Sequence, residues 1–228
     1  SRGLGDVYKR QMQNILQFKK FGFTLAEVLI TLGVIGVVAA LTLPSVVANY
    51  QKQKTVSFVK KFYNEINNAI KLSVAENGDV DLWMQPAHDN SYQENLEFVK
   101  NYILPYIKYD HYENCEQEKV CIYLPYGLFI YRVDGNGGDI TFFVNRKIEY
   151  QPKNYFAFQF NKKNTDQNLD SKGIVEPYSF AWDGNYLSLK NAVWGGCNEN
   201  ATDARLAYCT KWIQMNNWEI PKDYPLRF

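Results

Sequence analysis

The feature that most constrains this 228-residue sequence is an apolar run near its start with one carboxylate at its edge. Residues 28–43 carry no charge, and the uncharged stretch continues to Tyr50. A helix rises about 1.5 Å per residue, so this stretch is long enough to cross a bilayer core of about 30 Å. Glu27 precedes it, and a carboxylate in a membrane helix costs roughly 2.5–3.5 kcal/mol near the bilayer centre and less near its edge. A simple anchor gains nothing from that cost, so we expect Glu27 to have a partner.

The residues around this carboxylate form a processing motif. Residues 19–27 read KKFGFTLAE, a pattern that resembles the N-terminus of type IV prepilins and type II secretion pseudopilins. The resemblance covers about residues 19–72. It implies that a membrane-embedded prepilin peptidase cuts after Gly22 and methylates the new N-terminal residue, Phe23. It also implies that Glu27 directs assembly with other pilin or pseudopilin subunits.

Simple electrostatics supports this role for Glu27. Cleavage would create a cationic amine on Phe23, four residues before Glu27 and on the same helical face. An amine–carboxylate pair is far stronger in low dielectric than in water, so we predict that Glu27 binds the Phe23 amine of an adjacent subunit. The alternatives are an ordinary signal peptide, cleaved after residues 46–48, and a plain signal anchor. A signal-peptide apolar region has about 7–15 residues, and this run is longer and bears an acid.

The segment before Phe23 is the predicted leader, residues 1–22. We expect residues 1–11 to be extraneous and Met12 to be the true start, because MQNILQFKKFG is a complete short basic leader. Lysines flank the apolar run on both sides, so the positive-inside rule does not settle orientation. The motif and the cysteines predict a single pass through the inner membrane with the C-terminal domain outside. After assembly the chain would lie in an extracellular or periplasmic filament.

A long helical spine is predicted after the leader. Residues 23–50 form its transmembrane or filament-core half, and Pro44 is expected to kink it because proline lacks a backbone donor. Over residues 51–77, apolar side chains recur at steps of three and four between lysines, which predicts an amphipathic continuation. The remaining residues, 78–228, are the predicted globular domain.

The globular part is predicted to be an antiparallel sheet. β-rich runs alternate with loops rich in glycine, asparagine and aspartate, which are typical of hairpins. The fold class is therefore α+β and pilin-like, with the helical spine packed against a C-terminal antiparallel sheet. The runs named as strands cover residues 128–133, 140–144, 155–160, 178–182 and 186–189.

Four cysteines fall into two close pairs, Cys115 with Cys121 and Cys197 with Cys209. Four cysteines allow three connectivities, and we expect local pairing because each pair lies within one short segment. An even number of cysteines behind an export motif favours disulfides in an oxidising compartment. Buried free thiols are the alternative, and a metal site is disfavoured because no pair has CxxC spacing.

One loop is a weak candidate for calcium. Asp134, Asn136 and Asp139 offer oxygen ligands among glycines, but the run lacks the full ligand series of an EF-hand. A glycine-rich turn explains the same residues, so no cofactor is expected.

The remaining signals argue against an enzyme and against nucleic-acid binding. The formal net charge is +1, and no basic stripe with interleaved aromatic residues is present. No nucleophile, HExxH or phosphate-loop motif occurs. Together with these absences, the resemblance to type IV prepilins implies a structural subunit of a type IV pilus-like filament. Its expected partners are the prepilin peptidase, other subunits, inner-membrane assembly machinery and membrane lipid. The alternatives are a type II secretion pseudopilin and a membrane-anchored exported binding protein or enzyme.

Overall fold

The computed structural model describes residues 22–84, 86–87, 91–115, 119–134, 137–161, 175–198 and 206–225. The chain divides into two compact units, Ser1–Val47 and Ala48–Phe228. A single helix, α1 (Leu25–Asn77), contributes residues to both units. The predicted leader up to residue 21 and the predicted start at Met12 lie outside the described residues.

In the first unit, α1 exposes nearly all of its apolar side chains. By length and composition α1 could cross a membrane. Its hydroxyl groups bond within the helix: Thr31 and Thr42 donate to the carbonyls of Val28 and Val38, at 3.0 and 2.9 Å. These groups therefore need no water, as a lipid environment requires. Pro44 lies inside α1, which continues on both sides of it, and the kink at Pro44 stays a prediction.

In the second unit, the described residues form a six-stranded antiparallel sheet whose strands follow one another in chain order. The long helix with this sheet confirms the α+β, pilin-like fold class. The strands are β1 (His111–Cys115), β2 (Lys119–Leu124), β3 (Gly127–Asp134), β4 (Gly137–Phe143), β5 (Tyr155–Asn161) and β6 (Val175–Pro177). The shorter helices are α2 (Tyr92–Tyr102), α3 (Ser188–Asn191) and α4 (Cys209–Met215), with 3₁₀ turns at Val80–Leu82 and Leu104–Tyr106.

The sheet packs on the second half of α1 through an aromatic cluster. Phe62 is fully buried, and its ring stacks on Phe142 with centroids 4.5 Å apart. Phe129 and Phe158 contact the same ring, each at 5.4 Å between centroids. Phe129 lies opposite Phe142 in the β3–β4 register, so both side chains point to one face of the sheet. The buried residues of α1 recur at steps of three and four, as the amphipathic pattern predicted: Thr55, Val56, Val59, Phe62, Ile66, Ala69, Ile70 and Ser73.

Side chains of α1 also satisfy the free edge of β6. Asn67 Nδ2 donates to the carbonyl of Val175 at 2.9 Å, and the Val175 N–H donates to Asn67 Oδ1 at 3.1 Å. This amide therefore pairs with β6 as a neighbouring strand would. Next to it, the Tyr63 hydroxyl donates to Glu176 at 3.0 Å, and Gln214 of α4 donates to the other carboxylate oxygen at 3.2 Å. Burial and the Glu176 charge raise the pKa of Tyr63 to about 12, so Tyr63 remains a neutral donor at physiological pH.

The hairpin predicted over residues 178–189 is wrong. Asp183 accepts from the Asn185 N–H at 2.9 Å and from the Ser188 hydroxyl at 2.7 Å, and the Asn185 side chain accepts from the Leu187 N–H at 3.0 Å. These local bonds compete with strand pairing and lead the chain into α3. Residues 178–182 therefore lie in a turn and its flanks, and residues 186–189 form a turn that leads into the first residues of α3.

The cysteines pair locally, Cys115 with Cys121 and Cys197 with Cys209. The first disulfide joins the paired strands β1 and β2, whose register places Cys115 opposite Lys119. The second joins a turn to the first residue of α4, and both of its cysteines are fully buried.

Removing the Cys197–Cys209 disulfide should destabilise the second unit by about 3 kcal/mol, because the bond closes the longer loop in the unfolded chain. The sequence separation is 12 residues, against 6 for Cys115–Cys121. We expect the double substitution Cys197→Ala/Cys209→Ala to lower the urea midpoint more than Cys115→Ala/Cys121→Ala does, measured by tryptophan fluorescence. A larger decrease in the urea midpoint from Cys115→Ala/Cys121→Ala would contradict this ordering.

Candidate functional site

The candidate site lies at the start of α1, where Thr24 and Glu27 cap the helix reciprocally. The N–H and the hydroxyl of Thr24 both donate to Glu27 Oε2 at 2.8 Å, and Thr24 Oγ1 accepts from the Glu27 N–H at 3.2 Å. Thr24 thus occupies the N-cap position and Glu27 the third helical position, an arrangement known as a capping box. The first backbone bond of the helix runs from the Val28 N–H to the Thr24 carbonyl at 3.2 Å. The box fixes the Glu27 side chain against its own helix terminus.

This geometry engages only one oxygen of the Glu27 carboxylate. Oε2 accepts both bonds from Thr24, whereas Oε1 has no partner among the described residues. The neighbouring Phe23 is 87% exposed, and a Cβ placed on Gly22 would meet no atom within 4 Å. The predicted cleavage point and the free carboxylate oxygen are therefore both accessible, on one short stretch of chain.

Sequence reasoning identified Gly22, Phe23 and Glu27 as site residues but did not identify Thr24. The signal was present, because a threonine three residues before a glutamate, at the start of an apolar run, is typical of a capping box. Glu27 therefore has a partner in its own chain, although an uncharged one, and no cation of the described residues pairs with its charge.

Of the three calcium-candidate residues, only Asp139 has its side chain in the described part of the chain. Asn136 and the side chain of Asp134 lie outside the described residues, so the set as a whole stays untested. The third member, Asp139, bonds to Arg132, with 3.1 Å between Oδ2 and Nη2. Among the described residues, no group of three or more histidine, cysteine, aspartate or glutamate side chains is arranged to hold a metal ion.

Comparison with known families identifies the N-terminal motif independently. Residues 17–43 match the model of the prokaryotic N-terminal methylation motif. The chain therefore carries a prepilin signal of the type IV pilin and pseudopilin type, and it is a pilin-like substrate of the prepilin peptidase. This signal and the apolar helix α1 mark it as a membrane-anchored protein that assembles with pilin-type subunits.

The rest of the chain belongs to a second family. Residues 45–228 match the model described as Family of unknown function (DUF6613), and because this is most of the chain, the protein belongs to that family. No curated protein and no solved structure matches the sequence. Only the N-terminal motif thus brings functional information from known proteins.

Proposed function

We propose that this chain is a structural, non-enzymatic subunit of a type IV pilus-like filament. In this proposal the precursor spans the inner membrane once, with the unit Ala48–Phe228 outside, and assembles after cleavage at Gly22. The observation that supports the proposal most directly is the state of Glu27. Only one oxygen of its carboxylate is hydrogen-bonded among the described residues, and the residue lies at the start of an exposed apolar helix. The Phe23 amine of an adjacent subunit is the expected ligand of the free oxygen Oε1.

The proposed contact favours the filament over the membrane. A lipid bilayer surrounds apolar side chains as well as neighbouring helices do, so burial of residues 25–47 alone gives no preference for leaving it. An α-amino group has a pKa of about 8 and is cationic at neutral pH. In the filament this amine would meet Glu27 in low dielectric, and a carboxylate that is costly in the membrane would become paired.

Intact mass of the protein purified from its native host tests the proposal most directly. We expect a chain that begins at N-methylated Phe23 and that is recovered in sheared surface filaments. A chain that begins near Asn49, or that remains uncleaved, would exclude the filament class. Correct processing without surface filaments, together with loss of protein export on deletion, would point to a secretion pseudopilin instead.

Substitutions at Gly22 should block processing without affecting the fold. We expect Gly22→Leu to accumulate as a precursor with its leader attached, whereas Gly22→Ala is cleaved at a reduced rate. A Cβ at Gly22 would meet no neighbouring atom, so the substitution should not disturb the fold of this chain. The processing defect would then come from poorer recognition of the cleavage site by the peptidase. Mass spectrometry of membrane fractions measures the cleaved fraction, and full cleavage of Gly22→Leu would argue against processing at this position.

A further inference from the structure

A groove of about 290 Å³ lies in the second unit between residues 51–58 of α1 and the loop of residues 144–154. Phe58 and Val144 form its apolar side, and Lys54 and Lys153 stand on its rim with their side chains in solvent. The Lys54 ammonium lies 5.6 Å from the centre of the Phe58 ring. The groove therefore combines an apolar floor with two cations.

The loop that forms one wall is held in place by Asn154, which is only 2% exposed. Its carbonyl oxygen Oδ1 accepts from the Asn145 N–H at 2.9 Å, and its Nδ2 donates to the carbonyls of Lys147 and Glu149 at 2.9 and 3.2 Å. The position of Lys153 is thus set by bonds within the loop, and a ligand would find the wall already formed.

The electrostatic balance at this groove is positive. Neither Lys54 nor Lys153 forms an ion pair with a carboxylate of the described residues. The loop of residues 144–154 contains one acid, Glu149, which accepts from Asn145 Nδ2 at 3.2 Å, and it contains the basic residue Lys147 as well. Arg146 also lies on this loop, with its guanidinium 2.9 Å from the Asp110 carboxylate. Acidic residues slightly outnumber basic ones over residues 48–228, so the cations are concentrated locally.

The position of the groove along the chain identifies what it would meet. Lys54 lies four residues after Tyr50, or about 6 Å further along the helix. The polar layers of a bilayer add about 5–7 Å on each side of the hydrocarbon core. With Tyr50 at the outer boundary of the hydrocarbon core, Lys54 would therefore lie at the depth of the lipid phosphates.

We propose that this groove binds the headgroup of an anionic phospholipid. The ammonium groups of Lys54 and Lys153 contact the phosphate, and the glycerol and upper acyl carbons lie against Phe58 and Val144. This inference rests on the membrane anchoring within the proposed function, but not on cleavage or filament formation. The headgroup would hold the second unit against the membrane surface before assembly.

Native mass spectrometry of the full chain in detergent micelles tests the lipid site. Phosphatidylglycerol and phosphatidylcholine with identical acyl chains are added in turn, and the retained lipid is counted. We expect a preference for phosphatidylglycerol that falls about thirtyfold in Lys54→Gln/Lys153→Gln, since each basic residue near an anionic surface strengthens binding by about fivefold. The matched control, Lys71→Gln/Lys108→Gln, removes the same charge from exposed positions outside the groove and should keep the preference.

Three results would overturn the inference. Equal losses in the two variants would show a general charge effect, and full competition by millimolar inorganic phosphate would show a phosphate site without lipid selectivity. A change in self-association with unchanged lipid retention would assign the groove to a second copy of the chain. Because retention is measured without filaments, a failure here leaves the intact-mass test of the proposed function unaffected.

Discussion

Replacing Glu27 by alanine should abolish filament formation while cleavage after Gly22 continues. The proposed contact pairs Glu27 of one subunit with the Phe23 amine of the next, so the variant leaves an unpaired cation at every subunit interface. Removing one partner of a buried ion pair costs about 3–5 kcal/mol, and in the filament this cost would apply at every subunit interface. We expect processed monomers to accumulate in the membrane fraction, with few or no filaments in the sheared fraction by electron microscopy.

The capping box gives this experiment a precise control. Glu27→Ala also removes the bonds from Thr24, and helix-capping features contribute about 0.3–1.5 kcal/mol each. Glu27→Gln keeps an oxygen that accepts from the Thr24 N–H but carries no charge. If charge pairing drives assembly, the glutamine variant fails as the alanine variant does. Normal filament yield from Glu27→Gln would show that the cap matters and that the ion pair does not.

The parts of the fold that depend on periodicity could be predicted from the sequence. The apolar positions of α1 after residue 51 recur at helical spacing, and Val59, Phe62 and Ile66 are buried along one stripe. The hairpin β3–β4 was predictable because β-rich runs flank a glycine-rich loop. In both elements, the local sequence pattern that favours the helix or the hairpin also places the apolar side chains on the face that is buried in the core.

The parts that depend on distant partners were not predictable. β1 (His111–Cys115) is polar, and it forms a strand because it pairs with β2 and is tied to it by the Cys115–Cys121 disulfide. β6 (Val175–Pro177) is only three residues long, and its free edge is satisfied by Asn67, more than 100 positions earlier. Neither partner is visible within a local window of sequence.

Replacing Phe62 by alanine should destabilise the second unit by about 3–5 kcal/mol, the usual cost of truncating a buried phenylalanine. The ring contacts β3, β4 and β5 through Phe129, Phe142 and Phe158, so one truncation opens a cavity where the helix meets the centre of the sheet. A domain of this kind has a total stability of about 5–15 kcal/mol, so the loss is a large fraction of it. Urea unfolding of the full chain in detergent, followed by tryptophan fluorescence, measures the change.

The tryptophans and a matched substitution make this measurement specific to the core. All five tryptophans lie between residues 83 and 218, so the signal reports the second unit and not the apolar half of α1. Leu72→Ala is the control, because Leu72 lies on the same helix with 55% of its surface exposed, and surface changes usually stay within about 0.5 kcal/mol. Equal midpoints for the two variants would contradict the packing of α1 on the sheet through Phe62. Phe62→Ala should still be cleaved after Gly22, because the processing motif belongs to the unit Ser1–Val47 and not to the destabilised core.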